Sequence, residues 1–231
     1  MLGKVKYFKY YSKLLLNNWI QEKDTYAQHG EDKIIDLLIP KGVKSFIDIG
    51  ANDGVLFSNT YKFARRGAFG ICIEPSKSSF IKLYLNHLFH KQVICINRAI
   101  SSTSGFLEFD ELGYENVLSK VVEEKKQSTI RKKCNTLDEI FKDHSNFKFP
   151  DLISIDVEGH EKEVLQGGIN CLHQSKIIII EVDKLNMDSI CHLPALENHT
   201  PKFSNSLNTI FLNKNINFPK IKELVPGFFK I

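Results

Sequence analysis

The sequence predicts an α/β fold: a doubly wound, mostly parallel sheet with helices on both faces. Three observations predict it. Short apolar runs alternate with amphipathic stretches along the chain, as strands do when crossover helices join them. The runs are rich in β-branched residues. Ile177 to Ile180 is four isoleucines in succession, which favours a buried strand over a helix core. Several runs close in carboxylates and glycines, and ligands of open α/β sheets bind beyond the carboxyl ends of the strands.

The elements follow in order. Ser45 to Ile49 is the first strand, ending at Gly50. A helix is expected over Asn59 to Arg66, stopped by Gly67. Phe69 to Ile73 is the second strand, Ser79 to Phe89 the next helix and Val93 to Ile96 the third strand. Ser101 to Lys133 reads as short strands and loops. Thr136, with Glu139 three residues on, forms a capping box that opens a helix to about Lys142. Leu152 to Ile155 is the fourth strand. Glu161 to Gln166 is a helix stopped by Gly167 and Gly168, Ile177 to Ile180 is the fifth strand, and Thr209 to Leu212 is a late strand. Residues 1–23 are expected to form a helical extension and residues 24–231 one domain.

Composition bounds the partners. The chain has 231 residues and is 42% hydrophobic, enough for one sizeable core. With 31 Lys+Arg against 27 Asp+Glu, the net charge of +4 is weakly basic and does not provide the concentrated basic face that nucleic acid requires. Five cysteines, an odd number with no C-x-x-C spacing, indicate neither a zinc site nor a disulfide framework. A reducing, cytoplasmic compartment is expected. No apolar run is long enough to cross a bilayer, and Leu14 to Leu16 is too short for a signal-peptide core. The basic N-terminal stretch reads as a helix on the surface of the domain, with a foothold on a membrane or a partner enzyme as the sharper reading.

The strand ends carry the chemistry. Strand one runs into Asp48, Gly50, Asn52, Asp53 and Gly54; strand two into Glu74 and Pro75; strand four into Asp156, Glu158, His160 and Glu161; strand five into Glu181. Gly50 and Gly54 permit a tight turn and close approach of backbone to a ligand. Glu74 lies 20 residues after Gly54, where a βαβ unit places a carboxylate on ribose hydroxyls. Together these imply an adenosine-type ligand. A nicotinamide cofactor wants G-x-G-x-x-G to cradle its pyrophosphate; carboxylates around this turn would repel a pyrophosphate. They suit the ammonium and sulfonium of S-adenosylmethionine (SAM). A tight turn with solvated polar residues remains the plain alternative.

The runs Tyr26–Asp32 (YAQHGED), Phe46–Gly54 (FIDIGANDG), Ser58–Tyr61 (SNTY), Cys72–Pro75 (CIEP), Asn135–Asp138 (NTLD) and Asp156–Glu161 (DVEGHE) span about residues 26 to 181, and Asn208–Phe211 (NTIF) resembles a closing strand. In order and spacing they resemble the FkbM family of class I SAM-dependent methyltransferases, which have a Rossmann-like fold. The resemblance implies roles. Asp48, Gly50, Asn52, Asp53 and Gly54 would hold the methionine end of SAM. Glu74 would bind the ribose hydroxyls, with Pro75 beside the adenine. Ala99 and Ile100 would supply the adenine edge from backbone, lacking the acidic side chain many methyltransferases place there. Gln28 and Glu31 would fold over the cofactor, and Ser58 and Asn59 would meet a carboxylate.

The resemblance implies O-methylation, with a sugar hydroxyl as acceptor, in a nucleotide-activated sugar or a surface glycan precursor of polysaccharide biosynthesis. A hydroxyl is a poor nucleophile while protonated, and a general base typically contributes about 10²–10⁴-fold. His160 and Glu158 are the base candidates, with Asp156 nearer the cofactor and Asp156 or Glu158 orienting the imidazole. Glu163 reads as a first-turn carboxylate that favours the helix dipole; Glu161 is divided between that role and the site. The cluster would also suit a divalent metal, and the sequence does not decide this. An NAD-dependent oxidoreductase and a non-catalytic SAM-binding protein are the alternatives. The run Lys120 to Lys133 is read as a solvated face rather than a phosphate grip, and Trp19 and Tyr114 as packing aromatics.

Overall fold

A computed structural model describes residue 12 and residues 16–110, 120–121, 129–144, 149–182 and 184–231. In chain order the elements are α1 (Glu31–Leu38), β1 (Ser45–Ile49), α2 (Tyr61–Arg65), β2 (Phe69–Ile73), α3 (Lys77–Asn86), β3 (Val93–Ile96), β4 (Ala99–Ile100), β5 (Gly105–Asp110), β6 (Lys120–Val121), β7 (Thr129–Asn135), α4 (Leu137–Asp143), β8 (Leu152–Ile155), α5 (Glu161–Gln166), α6 (Ile169–His173), β9 (Ile177–Glu181), α7 (Lys184–Cys191), a 3₁₀ turn (Pro194–Leu196), β10 (His199–Ser204), β11 (Asn208–Asn213) and β12 (Phe229–Lys230).

The main sheet has the order β12-β10-β11-β9-β8-β1-β2-β3. The neighbours from β3 through β9 are parallel. The β11 strand runs antiparallel to β9, and β10 pairs antiparallel with both β11 and β12. Strand order reverses between β1 and β8, the switch point at which open α/β sheets bind ligands. A second, four-stranded sheet, β4-β7-β5-β6, is inserted between β3 and β8.

Alternation along the strands splits the core in two. Ile47, Ile49, Ile71, Ile153, Ile178 and Ile180 face a cluster completed by helices α4 to α7. Phe46, Cys72, Leu152, Ile177 and Ile179 face the other, completed by α1, α2 and α3. Both faces of the parallel strands are covered, which is why these runs read as nearly continuous apolar sequence. An ion-pair group joins α1 to α2: Asp36 meets Lys62 at 2.8 Å and Arg66 at 2.7 Å. The five cysteines are free thiols.

The five parallel strands lie where the sequence expects them, and Thr136 caps α4 through the full capping box with Glu139. Other boundaries differ. The first crossover helix begins only at Tyr61, because the three residues before it are engaged elsewhere. The Ser58 hydroxyl accepts from the backbone N–H of Thr60 and Tyr61, Thr60 donates to Asp48, and the Asn59 amide donates to Ser154. The next helix starts at Lys77 rather than Ser79, since Ser76 is its N-cap, and it ends at Asn86. The tail holds β10, β11 and β12, of which only β11 stands out in the sequence.

At the N-terminal end, residues 16–20 are helical. Trp19 packs edge-on against Phe89, with ring centroids 4.8 Å apart, and its indole N–H donates to the Asn86 carbonyl. It is thus a packing aromatic. Residues 1–11 and 13–15 of the expected helical extension, Tyr114, and residues 122–128 of the charged run lie outside the described residues. Among the described residues no helix is long and apolar enough to cross a membrane.

Candidate active site

A cavity of about 330 Å³ opens at the carboxyl ends of β1, β2, β8 and β9. One wall is the turn after β1. Gly50 has φ +82°, and a Cβ there would stand 1.6 Å from the Asp156 carbonyl oxygen, so only glycine fits between the ends of β1 and β8. Asn52 follows at φ +48°. The Glu74 carboxylate, at the end of β2, accepts from the Asn52 N–H at 2.9 Å and the Ser76 N–H at 2.7 Å. Two backbone donors thus fix a buried carboxylate at the cavity, with acceptor capacity left for ligand hydroxyls.

Asp48 lies beneath this turn. It is buried and accepts from the Thr60 hydroxyl at 2.5 Å. Burial pushes its carboxyl up to about 6, although the Thr60 hydrogen bond opposes the rise. Register explains why this polar group sits under a helix entry. Asp48 pairs with Ser154 across β1 and β8, and the two side chains meet Thr60 and Asn59 respectively.

The opposite wall is the segment after β8. Among the described residues, the carboxylates of Asp156, Glu158 and Glu181 lie within 4.8 Å of one another. The Asp156 carboxyl is held well above the usual carboxylate range by desolvation, by its hydrogen bond with Glu181, and by the charges of Glu181, Glu158 and Asp48. Like charges this close disfavour the ionised form of Asp156. The three also form a set of hard oxygen donors of the kind divalent cations take. Glu158 has φ +56° and Gly159 φ +97°, a left-handed turn that is costly for a non-glycine residue.

His160 closes this wall. Its Nε2 lies 3.0 Å from the Ser101 hydroxyl and its Nδ1 3.4 Å from the Glu163 carboxylate. Burial lowers the imidazole below its usual value, and the Glu163 charge partly restores it. The Glu163 carboxylate thus stands at the His160 ring, so Glu163 does more than favour a helix dipole. Glu161 turns back instead and accepts from the Gly159 and Val157 N–H groups, bracing the left-handed turn.

The remaining expected residues divide clearly. Gln28, Asp48, Gly50, Asn52, Ser58, Asn59, Glu74, Pro75, Ala99, Ile100, Asp156, Glu158 and His160 line the cavity. Asp53 and Gly54 do not. The Asp53 carboxylate accepts from the Val55 and Leu56 N–H groups inside its own loop, and Gly54 backs onto Leu83 and His87. Glu31 is also directed elsewhere: it is fully buried and accepts from the Asn205 and Asn208 side chains. It fixes the β10–β11 turn, whose Leu207 and Asn208 reach the cavity. Gln28 arrives on a strap tied by a parallel bridge between Ala27 and Phe57 and by Asp32, which accepts from Thr25 and the Tyr26 N–H.

Sequence reasoning missed Phe57, Ser79, Arg98, Phe109 and Leu207 on the cavity wall. Arg98 carried a signal, standing directly before the predicted adenine edge. Phe109 and Leu207 come from the inserted sheet and the late hairpin, and no local pattern marks them. In the charged run, Arg131 stacks over Phe106 at 4.3 Å and Lys132 reaches the Asn97 side chain.

Comparison with known proteins adds independent findings. The sequence model of the methyltransferase FkbM domain matches residues 48–212. The hexuronic acid methyltransferase AglP of Haloferax volcanii is 30% identical over 156 residues, a stretch spanning 66% of this chain and 62% of that protein. Among solved structures, an O-methyltransferase from Bacillus cereus in complex with SAH aligns at 12% identity over 89% of this chain and 90% of its own, with a TM-score of 0.46. The precorrin-6y C5,15-methyltransferase of Geobacter metallireducens aligns at 10% identity over 83% and 91%, with a TM-score of 0.42.

Proposed function

The chain belongs to the FkbM methyltransferase family, and from that premise we propose that it transfers a methyl group from SAM to a sugar hydroxyl, in a nucleotide-linked sugar or a glycan precursor. The observation that carries the reading is the two-walled cavity. A glycine turn with the braced Glu74 faces a cluster of Asp156, Glu158, Glu181 and His160 across one space. AglP, by its name a hexuronic acid methyltransferase, supports a sugar as the acceptor class.

The chain's residues fit the cofactor. Gly50 lines the cavity, so its backbone borders the space for the methionine portion, and the Glu74 carboxylate faces the ribose hydroxyls. Pro75, Ala99 and Ile100 provide an adenine edge. The acidic residues around the turn suit a cationic cofactor and oppose a pyrophosphate. When bound, SAM supplies an electrophilic methyl group.

The rest falls to the protein. Both walls hold the acceptor oxygen near the cofactor, and positioning of this kind supplies much of the rate of a displacement. His160 is neutral near pH 7, with its Nδ1 toward Glu163 and its Nε2 toward Ser101. In that state it accepts the acceptor's hydroxyl proton, and the Glu163 charge stabilises the imidazolium that results. Glu158 is the second base candidate.

The test is incubation with SAM and a panel of nucleotide sugars, with mass spectrometry for a product heavier by one methyl group. His160→Ala and Glu158→Ala are run beside it. The expected result is methylation of a sugar that falls about 10²-fold or more in at least one variant. Full activity in both variants overturns the assignment of the base. Thermal stabilisation by NAD but not by SAM or SAH overturns the reaction itself.

A further inference from the structure

Exposed apolar side chains are ordinary when scattered and informative when they gather. Here they gather on two elements in contact. On α3 and the turn after it, Ile81, Tyr84 and Leu88 follow at helical spacing and are exposed, and Phe89 is 66% exposed. On the helical residues 16–20, Leu16 and Ile20 are four apart, and Ile20 is 75% exposed. Trp19 joins the two elements through its edge contact with Phe89 and its hydrogen bond to Asn86. The patch thus crosses from the N-terminal segment onto the flank of the domain.

The charge around it has one sign. Residues 1–21 hold Lys4, Lys6, Lys9 and Lys13 and no carboxylate. Residues 75–96 hold Lys77, Lys82 and Lys91 and no carboxylate either. Yet the whole chain is only +4, so positive charge is concentrated in the two stretches of sequence that carry these apolar side chains. Lysine is depleted from protein–protein interfaces. Lysine-rich stretches that carry exposed apolar side chains beside Trp, Tyr and Phe suit the headgroup boundary of an anionic bilayer, where rings sit at the interface and ammonium groups meet lipid phosphates.

We propose that this face, Leu16, Ile20, Ile81, Tyr84, Leu88 and Phe89, with Lys77 and Lys82 of α3, docks the protein on an anionic lipid surface. The inference is independent of the methyl-transfer reading, and its test does not involve catalysis.

The full chain is mixed with vesicles of phosphatidylcholine, alone or with an equimolar amount of phosphatidylglycerol. Binding is read by flotation and by the emission of Trp19, the single tryptophan. The expected result is co-flotation and a blue shift with the anionic vesicles. Binding should be about tenfold weaker on the neutral vesicles and in about 0.5 M salt. The triple variant Ile20→Ser, Tyr84→Ser, Leu88→Ser should float at least about tenfold less, at an unchanged thermal midpoint. Should that midpoint fall, the variant Lys4→Gln, Lys6→Gln, Lys9→Gln, Lys13→Gln decides, and its flotation must also fall. Absent or charge-independent binding overturns the proposal, as does undiminished flotation of the deciding variant. So does a dimer in light scattering that the triple variant converts to monomer, which assigns the face to a second copy.

Discussion

At the scale of single residues, Asp48 shows a site holding a group where folding alone would not. Its carboxyl is raised to about 6 by burial, so the ionised form is less stable in the folded chain than in the unfolded one. Stability is therefore fully present below about pH 4 with respect to this group and is lost as pH rises through 6. At pH 7 the cost is on the order of 2–3 kcal/mol. Asp48→Asn keeps an acceptor for the Thr60 hydroxyl and removes the charge. It should raise the thermal midpoint by several degrees at pH 7 and less at pH 5, while SAM binding by calorimetry weakens about tenfold. An unchanged midpoint at pH 7 would show that the buried charge carries no penalty. Asp48 was legible in the sequence as a residue closing a strand; its penalty was not, because burial under Thr60 depends on the crossover that brings α2 over β1.

At the scale of elements, the two walls of the cavity are turns in the left-handed region. Gly50 and Asn52 form one, Glu158 and Gly159 the other. They touch: the backbone at Gly50 lies against the Asp156 carbonyl, and Asp156 N–H donates to the Ile49 carbonyl at 3.0 Å. Gly50→Ala should cost more than conformational strain, because a Cβ meets backbone that cannot turn aside. Gly42 separates the two effects. It also has positive φ, +76°, but nothing stands within 4 Å of a Cβ there. Gly42→Ala should cost about 1 kcal/mol, and Gly50→Ala at least about 3 kcal/mol together with loss of SAM binding, read by urea unfolding and calorimetry. Equal costs would mean that the two turns are not in contact. The same touching of turns explains why Asp53 and Gly54 left the site. The turn spends its first residues on the cavity and its later ones on returning the chain to α2.

At the scale of the whole molecule, two histidines far apart in sequence should govern acid stability. Burial lowers His87 to about 3 and His199 to about 4, with the His90 charge adding to the first. Each is neutral in the folded chain and takes up a proton near pH 6.5 when unfolded. Their contribution is present above pH 6.5 and is lost as pH falls towards 4, at roughly 2–3 kcal/mol each, offset in part by the gain from Asp48. The urea midpoint should fall between pH 7 and pH 4.5, and His199→Gln should flatten that fall. An equally steep fall in the variant would place the acid sensitivity elsewhere.

The sequence by itself determined the parallel strands, the capping box at Thr136 and most of the residues that line the cavity at the ends of β1 and β2. These follow from local signals: apolar runs of β-branched residues, a hydroxyl three positions before a glutamate, glycines at a strand end. It did not determine partners brought together by folding. Ser101 and Glu163 on His160, Glu181 on Asp156, Asn205 and Asn208 on Glu31, and Arg98, Phe109 and Leu207 on the cavity are set by how strands order in the sheet and how crossovers return. Contacts between residues distant in sequence leave no period and no spacing in the chain. The tertiary structure therefore decided which carboxylates crowd together at the cavity, which meet a histidine and which are only braces.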